Sequence, residues 1–452
     1  MRKTLISIAA VAGVGLLAGT AIAATAGKPG DERPNRTEYV RDMVRNGPAR
    51  NVILLIGDGM GDSEITLARN YEKGAAGRLP GLDELPMTGS YTTYAVEKGN
   101  PAKVVYNPES ASTASAWSTG KKTYNGAISV DAHGVPQATM MELAKKKGLR
   151  TGNVTTAEVQ DATPAAQGAH VVSRDCKGPD NMKNCPAQDK VNGGIGSIAE
   201  QFVENTRTDV ILGGGKRYFE QKVKAGKFAG KTVTQQAQEN GYQIVTDKAG
   251  LDKQSGDKPV IGMFHDSNME VEWTGPLAVK GGTQPSRCTP NPKLPQNVPH
   301  LDEMANKAIK MLNRPGGKGF FLQVEGASID KRDHAADPCG QIGETVAFDK
   351  AVKAALDFAK YDGNTTVLVS ADHAHTSQII SDAVSPGKTA TLVTNEGSEM
   401  YVNYATSDGE SQDHTGTQVR VAGYGPQAAN VVGRIDQTDI FYMISRALEL
   451  KR

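Results

Sequence analysis

The sequence has no excess of either charge: 51 Lys and Arg face 50 Asp and Glu, a formal net charge of +1 over 452 residues. That balance supplies neither a basic footprint for nucleic acid nor a polybasic membrane patch, so partners must be met at local sites. Cysteine is scarce as well. There are four, none in the CxxC spacing that would mark a zinc site built from cysteine. Internal repeats and low-complexity tracts are also absent. What remains is an ordinary globular composition, 38% hydrophobic and 22% charged, long enough for one large α/β domain or two to three smaller ones.

The first residues point to a compartment. Arg2 and Lys3 precede the run LISIAAVAGVGLLAGTAIA, whose small terminal residues are spaced like a signal-peptidase site. Residues 1–23 are therefore expected to be a signal peptide cleaved after Ala23, with Ala26 as the second candidate. The mature protein would be periplasmic or secreted, with no membrane anchor left. An uncleaved anchor is the alternative, because the apolar run approaches the ~20 residues that span a bilayer. In an exported chain Cys176, Cys185, Cys288 and Cys339 should form two disulfides. Three pairings are possible; the short polar loop KGPDNMKN favours Cys176–Cys185, with Cys288–Cys339 as the second.

Residues 24–50 read as a polar N-terminal arm. Beyond it, short apolar runs of the buried-strand kind recur at 51–56 (NVILLI), 150–154, 209–215, 259–264, 319–324, 365–370 and 418–425. Helical patterns at 137–147, 300–313, 343–360 and 437–449 lie between several of them. The alternation predicts an α/β fold: one domain over 51–452 with a large, mostly parallel sheet and helices on both faces. The stretches 175–195 and 376–411 interrupt the rhythm as surface insertions, the second large enough for a cap or crown over a site, or for an interface.

Ligands in open parallel sheets bind beyond the carboxyl ends of the strands, and here those ends are rich in acids and histidines. NVILLI leads to Asp58 and Asp62, GFFLQV to Glu325, Asp330, Asp333 and His334, and TTVLVS to Asp372, His373 and His375. A single acid at such a place is routinely a helix cap, and Asp62 or Ser63 is expected to cap the helix that follows. Several carboxylates at one edge repel unless cations neutralise them, and mixed oxygen and imidazole donors suit zinc alongside magnesium. Asp330 and His334 stand four apart and share a face if helical, where they could grip one ion or simply form a surface pair. Asp372 and His373 leave a buried strand together, while His375 is expected to support a ligand rather than be one. Ser110, between Glu109 and an Ala/Ser/Thr run, can stand at a helix N-terminus, as a nucleophile beside a bound phosphate or merely as a cap.

These pieces match a family. DGMGDSE (58–64), ESASTASAWSTGKKTYNGA (109–127), GNVTTAEVQDATPAA (152–166), VEGASIDKRDHAADPCGQIGET (324–345), ADHAH (371–375) and DHTG (413–416) resemble bacterial alkaline phosphatases, in order, from about Asn51 to the C-terminus. The resemblance implies hydrolysis of phosphate monoesters, with low substrate specificity, through a phosphoserine on Ser110. It implies that Arg174 clamps the phosphate and that Lys331 reaches it through water or neighbouring acids. One zinc would be held by Asp330, His334 and His414, a second by Asp372, His373 and Asp58, and a magnesium by Asp58, Glu325 and Thr163. Asp161 would hold water on the magnesium. A homodimer is implied too, with the arm and segment 376–411 as contributors. One departure stands out: Glu109 occupies a place where this family usually has Asp, and a longer acid could reach Arg174 while tilting it. His133, His170, His265 and His300 receive no role. The rival readings are a phosphodiesterase or sulfatase relative, disfavoured by Thr163, Glu325 and the lack of a cysteine near Ser110, and an exported phosphate- or zinc-binding protein with a decayed site.

Overall fold

Asn51–Gly57 is buried at every position, as a strand covered on both faces must be. It runs parallel to Thr365–Ala371 on one side and to Phe320–Gly326 on the other, both of them also fully buried. The structure, a computed structural model, describes residues 36–451. The expected signal peptide and the first part of the arm lie outside the described residues. Among the described residues no helix is long and apolar enough to cross a membrane.

Among the described residues the main sheet has ten strands. Their order is Gly433–Asp436, Met87–Thr92, Val419–Tyr424, Thr365–Ala371, Asn51–Gly57, Phe320–Gly326, Arg150–Glu158, Val210–Gly214, Val260–Met263 and Gln243–Val245. All neighbours are parallel except that Val419–Tyr424 runs antiparallel to both of its own. The three strands with no counterpart in the apolar runs, Met87–Thr92, Gln243–Val245 and Gly433–Asp436, lie at or next to the sheet edges. They are short or half-exposed, so burial does not force an apolar run on them.

Helices surround the sheet. Leu301–Leu312 buries Leu301, Met304, Ala305, Ala308, Ile309 and Leu312, a stripe at helical spacing, and packs on Arg150–Glu158 and Phe320–Gly326. Pro338–Asp362 packs against the central strands and against Leu301–Leu312. The helix Asp62–Lys73 corrects one expectation: its N-cap is Gly61, and Asp62 and Ser63 lie inside its first turn. Segment 376–411 contains a separate antiparallel sheet ordered Gln378–Ile380, Glu399–Tyr404, Lys388–Val393. The disulfides are Cys176–Cys185 and Cys288–Cys339. In the arm, Arg36–Met43 is helical, Arg45 bridges to Pro426, and the Ala49 N–H donates to the Ala447 carbonyl at 2.7 Å.

Candidate active site and metal centre

Three neighbouring strands deliver most of the acids. Gly57 pairs with Ala371 on one side and Gly326 on the other, so Asp58, Asp372 with His373, and the helix Ser328–His334 all emerge at one edge. Gly59 permits their close approach: its φ is +69°, and a Cβ there would stand 3.0 Å from Asp330 Cα. Its N–H donates to Asp372 Oδ1 at 2.9 Å and fixes that carboxylate.

Asp330, His334, His375 and His414 bring one ligand atom each within 4.8 Å of one another. Nε2 of His334, His375 and His414 lie 3.4, 3.3 and 3.2 Å from Asp330 Oδ1. Tautomers separate the three rings. His334 Nδ1 faces the Gln412 carbonyl and His414 Nδ1 the Pro108 carbonyl. A carbonyl only accepts, so in the neutral rings both Nδ1 carry the proton and both Nε2 present lone pairs. Those lone pairs face each other at 3.0 Å, beside a buried Asp330 oxygen that makes no well-formed hydrogen bond. Such a set repels itself until a cation joins it, and one carboxylate with two imidazoles suits zinc. His375 differs: its Nδ1 accepts the Thr376 N–H at 3.0 Å, so its Nε2 carries the proton and turns toward Asp330. It is placed to orient that carboxylate.

Asp58, Asp372 and His373 form a second, wholly buried group. His373 Nδ1 faces the Ala374 carbonyl at 3.2 Å, leaving an Nε2 lone pair 3.5 Å from Asp58 and 3.2 Å from Asp372. Burial, with Asp372 and Asp330 adding their charge, pushes Asp58 well above the carboxylate range. Burial likewise pushes Asp372 up to about 6 and pulls His373 well below its ordinary value. Carboxylates in this condition hold protons unless a metal replaces them. Glu325, pushed up to about 7 by burial, accepts the hydroxyl of Thr155, its register partner on the adjacent strand. Thr163 Oγ1 lies beside it, buried and without a well-formed hydrogen bond. With Asp58 these are hard oxygen donors of the kind magnesium takes.

Ser110 is the first residue of the helix Ser110–Thr119, and the cap is Glu109. Ser110 Oγ is buried, 3.4 Å from Asp58 Oδ1 and 3.3 Å from His373 Nε2. The Glu109 carboxylate accepts the N–H groups of Ser112 and Gly126 and pairs with Arg174 Nη1. Arg174 Nη2 donates to Asp161 Oδ1 at 2.9 Å, and Lys331 Nζ to Asp161 Oδ2 at 3.1 Å. Burial opposes the Asp161 charge, yet Lys331, Lys177 and Arg174 hold it well below the carboxylate range. Asp161 also caps the helix Ala162–Gly168 that carries Thr163. The structure thus gathers Asp58, Asp330, His334, Asp372, His373, His375 and His414 at one edge of the sheet, with Ser110, Glu109, Arg174, Asp161 and Lys331 linked to them.

The family model for alkaline phosphatase matches residues 49–391 and 382–450. The chain belongs to the alkaline phosphatase family. It is 54% identical over 425 residues to the alkaline phosphatase of Escherichia coli K12, covering 92% of this chain and 90% of that one. It is 53% identical over 423 residues to alkaline phosphatase H of Pseudomonas aeruginosa, covering 92% and 88%. It is equally 53% identical over 416 residues to the streptomycin-6-phosphate phosphatase of Streptomyces griseus, covering 89% and 91%. The crystal structure of Thermus thermophilus alkaline phosphatase superposes with a TM-score of 0.68, covering 93% of this chain and 96% of that one; at 21% identity it speaks to the fold alone. As an alkaline phosphatase the chain is a phosphomonoesterase that depends on divalent metal ions, and among the described residues two groups are able to hold them.

Sequence reasoning passed over Thr155, Glu158, Lys177 and Arg217. Lys177 and Glu158 touch the Arg174–Asp161 pair directly or through one residue. A signal existed for Arg217, since it follows the strand Val210–Gly214 at the same end where the other sites were sought.

Proposed function

We propose that this chain hydrolyses phosphate monoesters of varied alcohols through a phosphoserine on Ser110, assisted by two zinc ions and one magnesium. The observation that carries the reading is the place of Ser110 Oγ, at the head of a helix and within 3.4 Å of both Asp58 and His373. The first zinc would be held by Asp330, His334 and His414, the second by Asp58, Asp372 and His373, and the magnesium by Asp58, Glu325 and Thr163. Asp161, which caps the helix carrying Thr163 and whose charge acts on Glu325, would hold water on the magnesium. Bound there, the ions would supply Lewis-acid stabilisation of developing negative charge and would lower the pKa of water.

The protein's own groups do the rest. Arg174, held at both ends by Glu109 and Asp161, presents a planar fork that matches two phosphate oxygens. The helix N-terminus adds partial positive charge where the phosphoryl group is bound. Ser110 Oγ gives up its proton to solvent and attacks phosphorus, the ester P–O bond breaks, and the departing alkoxide takes a proton from solvent to leave as the alcohol. Water then loses a proton and attacks the phosphoserine, the Ser110 O–P bond breaks, and phosphate leaves as Ser110 Oγ regains a proton. Lys331, anchored on Asp161, reaches the phosphate through water or that neighbouring acid. Export to the periplasm or beyond, from the N-terminal signal, and assembly with a second copy of the chain belong to the same reading.

Turnover of p-nitrophenyl phosphate at alkaline pH tests it, with Ser110→Ala and a chelator-treated sample alongside. Both controls should lose the rate, and zinc with magnesium should restore only the second. Phosphate binding without turnover in the metal-replete wild type would instead favour a binding protein.

A further inference from the structure

A line of ionised side chains runs outward from Arg174. Lys177 Nζ reaches Asp161 Oδ1 at 3.3 Å, the same oxygen that holds Arg174 Nη2 at 2.9 Å. The ammonium and that guanidinium nitrogen are therefore within about 6 Å of each other. Lys177 also donates to Glu158 Oε2 at 2.7 Å. Glu158 is almost wholly buried at the end of its strand, and its other oxygen takes Arg217 Nη2 and the Ser267 hydroxyl. Arg217 is steadied by the Tyr218 hydroxyl at 2.9 Å and the Tyr218 ring at 4.9 Å, yet its side chain is 52% exposed.

Four cations, Lys331, Arg174, Lys177 and Arg217, thus meet three acids, Asp161, Glu158 and Glu109. Lys177 alone would satisfy the buried charge of Glu158; Arg217 adds a second cation whose outer side is open to solvent. The acids at the same turn do not cancel it, because Lys216 answers Glu220 at 3.3 Å and Asp266 at 3.8 Å. A phosphate held by Arg174 leaves Lys177 and Arg217 for whatever the rest of the substrate carries. Both are held in place before any ligand arrives, so little ordering opposes binding.

We infer that Lys177 and Arg217 form a subsite for a second anionic group on the leaving alcohol, so that bisphosphorylated alcohols are favoured over the corresponding monophosphates. This rests on the reading of Arg174 as the phosphate clamp. Monophosphates engage the clamp alone, whereas a second phosphate also meets the outer pair, with gains that show in KM and weaken with salt.

The test compares initial phosphate release from fructose 1,6-bisphosphate and from fructose 6-phosphate by the metal-replete enzyme. In the Lys177→Gln/Arg217→Gln variant the ratio of kcat/KM, bisphosphate over monophosphate, should fall about tenfold, mainly through KM, and Arg217→Lys should keep most of it. In the wild type the same ratio should shrink between low and 0.5 M salt. Removing Lys177 could unfold the protein by stranding Glu158; the single variant Arg217→Gln, at an exposed position, then carries the test with an expected fall of about threefold. A ratio unchanged within a factor of about 1.5 in Arg217→Gln, with normal turnover of both sugars, would overturn the subsite and leave the arc a structural brace. A wild type inactive on both sugars and on p-nitrophenyl phosphate would instead remove the catalytic reading, and the subsite with it.

Discussion

Replacing Glu109 with Gln should loosen the grip on phosphate while leaving the fold in place. One oxygen of Glu109 accepts the N–H groups of Ser112 and Gly126 at 3.0 and 2.6 Å, and a glutamine carbonyl can keep both. The other oxygen faces Arg174 Nη1, where glutamine would set an NH2 group, donor against donor. Arg174 would keep Asp161 at 2.9 Å but lose one of its two anchors, and its fork could swing. A hydrogen bond to a charged group contributes about 1.5–3 kcal/mol. The Glu109 side chain is 19% exposed, so solvent screening places this one near the lower end, about 1.5 kcal/mol. If that loss falls on the orientation of Arg174, phosphate binding weakens about tenfold. The assay is competitive inhibition of p-nitrophenyl phosphate turnover by inorganic phosphate, with metals saturating and thermal unfolding measured in parallel. A tenfold rise in Ki with Tm within about 3 °C of wild type is the expected result. An unchanged Ki in a normally folded variant would refute the claim that Glu109 aims the clamp.

The two disulfides should differ in worth, since Cys288–Cys339 spans 51 residues and Cys176–Cys185 spans 9. Loop entropy assigns them about 4 and about 2.6 kcal/mol, so alanine at both ends of the longer loop should cost about 1.5 kcal/mol more in urea unfolding; equal costs would contradict that account. The His170–Glu142 pair, 2.9 Å apart, should make stability depend on pH. Burial opposes the His170 charge, but Glu142 raises its pKa above the ordinary 6.5, and the Glu142 pKa is lowered in turn from 4.5 despite burial. A raised histidine pKa stabilises the folded state below 6.5 and loses that effect as pH rises through the folded value; the lowered glutamate contributes above 4.5 and loses it in acid. The Tm gap between wild type and His170→Gln should therefore be largest near pH 5.5–6.5 and shrink toward pH 9. A gap that does not change between pH 6 and pH 9 would show that the pair is not ionised in the folded protein.

Much of the candidate site was legible because strand ends and motifs coincide. Asp58, Glu325 and Asp372 each stand at or just after the carboxyl end of a mostly apolar run whose strand is buried throughout, and the rule for open parallel sheets points at such ends without knowledge of strand order. Ser110 was legible only through its neighbours: a serine before an Ala/Ser/Thr run also reads as a cap, and the structure assigns the cap to Glu109 instead. The antiparallel course of Val419–Tyr424 was not legible, since a buried strand has the same apolar pattern in either direction. Thr155 escaped notice because its partner Glu325 lies 170 residues away, across a strand pairing that no local pattern encodes.

By itself the sequence determined the α/β class, the positions of the central strands, the family and the identity of the chemical groups. Each of these is written in local composition: burial on both faces demands continuous apolar runs, and a reaction demands particular side chains in particular motifs. The tertiary structure alone decided how those groups act together. Register across Thr365–Ala371, Asn51–Gly57 and Phe320–Gly326 sets which carboxylates converge. Backbone carbonyls at Gln412 and Pro108 and the N–H of Thr376 set which imidazole nitrogens can ligate. Asp161 joins Arg174 to Lys177. Charge interaction, tautomer choice and ligation depend on separations of a few ångströms between residues far apart in the chain, and only the folded backbone specifies those distances.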